Sequence, residues 1–151
     1  MKIQSIQLTK APTDTTELII FINRFSLSIV FFWFGFLKVI AVSPAEGLVK
    51  SLYAATISQW VGLDSFVMLL GLFECLIGIL WLFPQFTRMA FFLFCAQMFT
   101  TFLPLIFLPR ETWQGDFVLT LTGQYIIKNV VLIASALTIF MYESRKSDFQ
   151  F

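Results

Sequence analysis

Four stretches of this chain, near residues 15–41, 65–83, 88–108 and 117–142, are long enough and apolar enough to cross a bilayer. About 20 helical residues rising about 1.5 Å each span about 30 Å of hydrocarbon. A water-soluble domain could not hide so much apolar surface: 58% of the 151 residues are hydrophobic, 20 of them phenylalanine, and 13% are charged. The expected fold class is an all-α integral membrane protein, a four-transmembrane-helix bundle whose first partner is the lipid bilayer. A formal net charge of +1 with no dense Lys/Arg run argues against nucleic acid as a partner.

The polar residues between the runs set the organisation. Residues 1–14 form a polar N-terminal segment, 15–142 the four-helix membrane domain and 143–151 a charged C-terminal tail. Asp14 and Glu17 have capping-box spacing at the start of the first helix, which is too long for a signal-peptide core and reads as a retained span. Between the first and second spans, Ser43, Pro44 and Glu46 fit the N-cap, N1 and N3 positions of a helix from Pro44 to about Gln59. Leu48, Val49, Leu52, Tyr53, Thr56, Ile57 and Trp60 give it an apolar stripe, so it reads as a short amphipathic helix on the interface, with an ordinary connecting loop as the alternative. Asp64 can cap the second span, Pro84 stops it, and Pro104 falls late in the third. Four spans put both termini on one side. Lys2, Lys10, Arg88, Arg145 and Lys146 lie on that side against Lys50 and Arg110 on the other, so the positive-inside rule favours cytoplasmic termini in a bacterial cytoplasmic (inner) membrane.

Each helix carries one polar seam, as a bundle with a polar interior requires. Arg24, Ser28, Phe31, Gly35 and Lys38 share a stripe of the first helix. In the second, Gly71, Glu74 and Gly78 have the small-residue spacing that admits a neighbouring backbone, so Glu74 faces protein. Gln97, Thr100, Thr101 and Pro104 cluster in the third, where Pro104 releases the carbonyl of Thr100 from its helical bond. Gln124, Lys128 and Ser135 align in the fourth. Counted from the non-cytoplasmic end, Glu74 is about nine and Lys128 about eleven residues deep, so both are expected near the midplane as a pair. Lys38 is shallower, and Arg24 lies toward the cytoplasm. The seam holds more cations than anions, which suits a small anion or a quinone oxygen. Equally, Glu74 and Lys128 can serve only to fix helix register.

The chain has no histidine, so no protein-bound metal or haem is expected. Cys75 and Cys95 lack CxxC spacing and read as small apolar residues more readily than as a redox pair.

The segments RFSLSIVFFWFGFLK, SPAEGL, ECLIGIL, QMFTTFLPL and GQYIIKN, in this order, resemble the DoxX-like family of small four-helix bacterial membrane proteins over residues 20–140. Trp33 to Lys38 is similar to the WxGxLK pattern of a branch linked to reactive-chlorine resistance. The resemblance implies functional positions at Arg24, Gly35, Lys38, Glu74, Gly78, Gln124, Lys128 and Asn129. Relatives often carry an acidic residue before GQY where this chain has Thr122, so a two-carboxylate proton relay is not implied. The family takes its name from a subunit of an archaeal thiosulfate:quinone oxidoreductase, and other members are associated with oxidative-stress defence. That resemblance implies a membrane subunit or small protein in quinone-linked redox or oxidant-defence chemistry. Glu74 would accept or relay a proton, Lys128 and Lys38 would donate to oxygen, and Arg24, Gln97, Gln124 and Asn129 would complete the ligand site. The chain has no Rossmann or cysteine-metal fingerprint, so a reducing centre would come from a redox partner protein or a diffusing quinol. A small-solute or proton transporter and a non-catalytic assembly or anchor subunit are the alternatives.

Overall fold

The computed structural model describes residues 13–60 and 62–148. The chain folds into α1 (Thr13–Val39), α2 (Glu46–Thr56), α3 (Leu63–Trp81), α4 (Thr87–Phe102), α5 (Pro104–Phe107), α6 (Pro109–Thr112), β1 (Trp113–Gly115), β2 (Val118–Leu119) and α7 (Leu121–Asp148), with a 3-10 turn over Pro84–Phe86. Among the described residues, four helical spans are long and apolar enough to cross a membrane: Thr15–Val39, Leu63–Trp81, Pro84–Phe107 and Leu121–Lys146. Large apolar side chains such as Phe92 and Val131 face outward along them, a surface that hydrocarbon covers and water does not.

Several boundaries differ from the sequence reading, each for a local reason. Asp14 lies inside α1 instead of capping it, its side chain falls outside the described residues, and so do residues 1–12 of the polar N-terminal segment. α1 ends at Val39, and Ala41 two residues on has a left-handed φ of 57°. There Val42 N–H donates to Leu37 O at 3.0 Å and Ala41 N–H to Lys38 O at 3.1 Å, the Schellman pattern that satisfies the last carbonyls of a helix. α2 begins at Glu46 because Ser43, Pro44 and Ala45 form a preceding turn, in which the Ser43 hydroxyl accepts the Ala45 N–H at 3.3 Å. Its apolar stripe is half-buried, with Tyr53 packing on Phe66, but Trp60 lies beyond the helix end and is exposed. Gly62, not Asp64, is the N-cap of α3, and Asp64 sits in the first turn where a carboxylate meets the helix dipole.

The third span breaks at Leu103. Pro104 has no N–H to give to Thr100, yet the Thr100 carbonyl is not released, because Leu103 N–H donates to it at 3.2 Å in a tightened last turn. α7 starts at Leu121, not near Phe117, which instead forms the turn of the β1–β2 hairpin at a φ of 60°. The Thr120 hydroxyl accepts the Gly123 N–H at 3.1 Å, the N-cap to N3 bond that starts α7. At the far end α7 runs through residues 143–148, so most of the expected charged tail is helix and the remainder lies outside the described residues.

The helices pack in the cyclic order α1, α3, α4, α7, with α3 and α7 at opposite corners. α1 and α3 make the closest contact. A Cβ on Gly35 would lie 2.6 Å from Gly71 O, and one on Gly78 would lie 2.7 Å from Phe32 N, so only hydrogen in place of a side chain permits this approach. The half of the molecule nearer the termini is a packed core of Leu27, Ile77, Leu80, Trp81, Phe94, Ala136 and Ile139. The half nearer α2 is not filled in the same way.

Candidate functional site

Among the described residues, buried charge occurs in two places. In the α2 half, Lys38 Nζ lies 2.5 Å from Glu74 Oε2, and Gln97 Nε2 donates to Glu74 Oε1 at 2.7 Å. Both oxygens of one carboxylate are therefore held, by α1 on one side and α4 on the other, and all three side chains are buried. The backbone carbonyl of Gln97 accepts the hydroxyls of Thr100 at 2.8 Å and Thr101 at 2.9 Å, and its side-chain Oε1 lies 3.5 Å from the Thr100 hydroxyl.

The expected Glu74–Lys128 pair does not form. Helical side chains lean toward the N-terminus of their own helix. α1 and α3 are antiparallel and in register at Gly35 and Gly71, so Lys38, three residues beyond Gly35, leans toward Glu74 while Glu74 leans toward Lys38. Lys128 is on α7, which runs parallel to α3 at the opposite corner, and it leans the same way as Glu74. The depths also differ from the estimate. Glu74 is eleven residues into α3 and Lys128 seven into α7. Lys128 Nζ instead sits 4.9 Å from the centroid of the Tyr125 ring, and it has no carboxylate partner among the described residues.

Lys38, Glu74 and Gln97 form one wall of a cavity of about 1060 Å³. Lys128 and Asn129 line it from α7, Leu48 and Ser51 of α2 roof it, and Phe31, Met98 and Ile126 give it apolar sides. Of the residues expected at the site, the fold thus brings Lys38, Glu74, Gln97, Lys128 and Asn129 to one cavity.

Arg24 is not among them. It lies at the other end, where Nη2 donates to Thr87 Oγ1 at 2.7 Å and to Glu143 Oε1 at 2.9 Å, and Nη1 reaches Trp81 O at 3.4 Å. A shared stripe on α1 misled the expectation: Arg24 and Lys38 face one way, but fourteen residues separate them by about 21 Å along the axis. Gln124 is also outside the cavity, exposed, with its amide donating to Leu119 O at 3.4 Å. Ser135 is bound to Asn23 Oδ1 at 2.9 Å. Sequence reasoning missed Glu143, because it follows the last apolar residues and read as tail, although a buried arginine near the termini needs a carboxylate at its own depth. It also missed Tyr125, whereas the roof residues Leu48 and Ser51 belong to the helix expected to lie on the outer face over the bundle mouth. The two cysteines are free; the Cys75 thiol lies 3.7 Å from Phe32 O, and Cys95 faces outward instead of filling a core.

The fold and this site define an integral membrane protein with a buried, fully hydrogen-bonded carboxylate facing a largely apolar intramembrane cavity. No family model, curated protein or solved structure matches the chain.

Proposed function

We propose that this four-helix bundle belongs to quinone-linked redox or oxidant-defence chemistry, in a bacterial cytoplasmic membrane, and that the cavity holds a quinone headgroup. The observation that carries the reading is a cavity of about 1060 Å³ with largely apolar sides, which has Lys38, Glu74 and Gln97 on one wall and Lys128 and Asn129 on another. Pockets of such size for small amphiphilic molecules are mostly apolar, with a few groups that fix orientation. A quinone needs a donor at each ring oxygen, a proton acceptor or donor beside one of them, and hydrocarbon elsewhere. Lys38 and Gln97 are donors beside one carboxylate, and Lys128 and Asn129 are donors on the facing helix.

A bound quinone would supply two-electron, two-proton carrier chemistry. The chain's own residues would bind and orient it. Lys128, with no carboxylate partner among the described residues, would hold one oxygen, and Glu74 would exchange a proton at the other while Lys38 balances its charge and Gln97 holds it by a hydrogen bond. The electron source is a partner protein or a diffusing quinol. A through-path for a solute is less well supported, because Leu27, Ile77, Trp81 and Phe94 pack the half below the cavity.

Extraction of the purified protein with organic solvent tests the reading: co-purifying quinone is expected in wild type and absent from Glu74→Leu/Lys38→Met, and wild type free of quinone would overturn it. For orientation we propose cytoplasmic termini. A reporter cysteine at Lys50 should then be labelled in intact spheroplasts by an impermeant maleimide, and protection there would reverse the assignment.

A further inference from the structure

We propose that the cavity is entered sideways from the bilayer, through a window between the α2-side halves of α1 and α7, by a molecule with a carbonyl-bearing head on a hydrocarbon tail. The nature of the head rests on the function proposed above; the window does not. It follows from where two glycines tie the two helices. Gly35 and Gly71 bind the α2-side half of α1 to α3. Gly123 binds the same half of α7 elsewhere: a Cβ there would collide with Thr112 O, and Thr120 N–H donates to that carbonyl at 3.0 Å. α7 is thus held against α6 while α1 is held against α3.

Among the described residues, the side-chain hydrogen bonds between the two helices lie nearer the termini: Ser135–Asn23 at 2.9 Å, Arg24–Glu143 at 2.9 Å and the looser Lys146–Glu17 contact at 3.4 Å. In the α2-side halves, Tyr125 of α7 is 61% exposed and Phe34 of α1 is 48% exposed. Phe34, Tyr125 and Lys128 are exposed and also line the cavity, so they form an edge between lipid and interior.

The chemistry of that edge selects the occupant. Lys128 is seven residues into α7, at about 10 Å from its start, and its side chain leans toward the α2 side. A lysine there, held over the Tyr125 ring and without a carboxylate partner among the described residues, offers an oxygen-bearing head its first donor. Asn129 and then the Lys38–Glu74–Gln97 cluster follow inward. The apolar residues Val30 and Leu132 on the two helices flank the path and suit a tail that remains in the window.

Photolabelling of the full chain in nanodiscs tests this, using a phosphatidylcholine with a diazirine in the middle of one acyl chain and mass-spectrometric mapping. Wild type is expected to carry label on the cavity-wall residues Met98 and Ile126 as well as on outward-facing Val131 and Phe92. Phe34→Trp with Tyr125→Trp, which adds bulk at lipid-facing positions and leaves the core intact, should lose the label at Met98 and Ile126 and keep it at Val131 and Phe92. An alkyl-substituted benzoquinone added before irradiation should displace the cavity label selectively. Label confined to Val131 and Phe92 in wild type overturns the window, as does cavity label that survives the double substitution. Cavity label that the substitutions abolish but the benzoquinone does not displace leaves the window in place and overturns the quinone reading instead.

Discussion

The two buried ionic clusters of this protein are built from the same parts and left in different surroundings. At the termini end, Arg24 is held by Thr87, Glu143 and the Trp81 carbonyl, and side chains of the packed core adjoin it. At the α2 end, Glu74 is held by Lys38 and Gln97, and beyond them lies open space. A charge with its partners met and no cavity beside it can only fasten helices together. A charge with its partners met beside a cavity can do so and also exchange one of those partners for a ligand. The distinction between glue and site therefore lies in what adjoins the cluster, and not in how many hydrogen bonds it makes.

The largest expected effect comes from breaking the second cluster on one side. Glu74→Met leaves the Lys38 ammonium buried and uncompensated, a change that costs on the order of 3 kcal/mol or more; unfolding followed by helical circular dichroism in mixed detergent measures it. Lys38→Met/Glu74→Met should recover most of that loss, since an apolar pair of similar volume often replaces a buried ion pair without penalty. Quinone retention should not recover. The charge swap separates the partners: Lys38→Glu/Glu74→Lys should regain stability, whereas Lys128→Glu/Glu74→Lys should not, because α7 is at the opposite corner from α3. Recovery with Lys128 would overturn the pairing described here.

Arg24→Met should cost somewhat less, about 2–3 kcal/mol by the same measurement. Three bonds are lost, but Glu143, with a quarter of its side chain exposed, can hydrate once it is alone. The decisive contrast is in binding. Folded Arg24→Met protein should retain as much quinone per molecule as wild type, and a loss there would make the first cluster part of the site.

How much of this was legible in the sequence depended on the range of the interaction. The four apolar runs and the glycines around Glu74 are local signals, and they located four spans and the buried face of α3. Lys38, Glu74, Gln97, Lys128 and Asn129, of the residues expected at a site, line one cavity, because helical periodicity reports which way a side chain faces. Periodicity says nothing about height. Arg24 was grouped with Lys38 on one stripe although they serve opposite ends, and Lys128 was matched to Glu74 by counting from helix starts. α7 in fact starts four residues later than expected, after a hairpin whose Asp116–Phe117 turn has no glycine at its left-handed position to betray it. Direction of lean was the usable signal left unused: Lys38 and Glu74, on consecutive antiparallel spans, point at each other, and Lys128 cannot do the same.

The smallest effect concerns the end of α1 that carries Lys38. Ala41 occupies the left-handed position of the Schellman turn at a φ of 57°, where an L side chain costs about 1–2 kcal/mol against the following carbonyl. Glycine removes that cost but gives the unfolded chain more freedom, so Ala41→Gly should stabilise the fold by only about 0.5–1 kcal/mol. The bonds from Val42 to Leu37 O and from Ala41 to Lys38 O are backbone bonds and survive the change. Lys38 therefore keeps its height and its lean toward Glu74, and quinone retention should be unchanged. A stabilised variant with altered retention would mean that the strained turn sets the position of the Lys38 ammonium, and would join the loop before α2 to the second cluster.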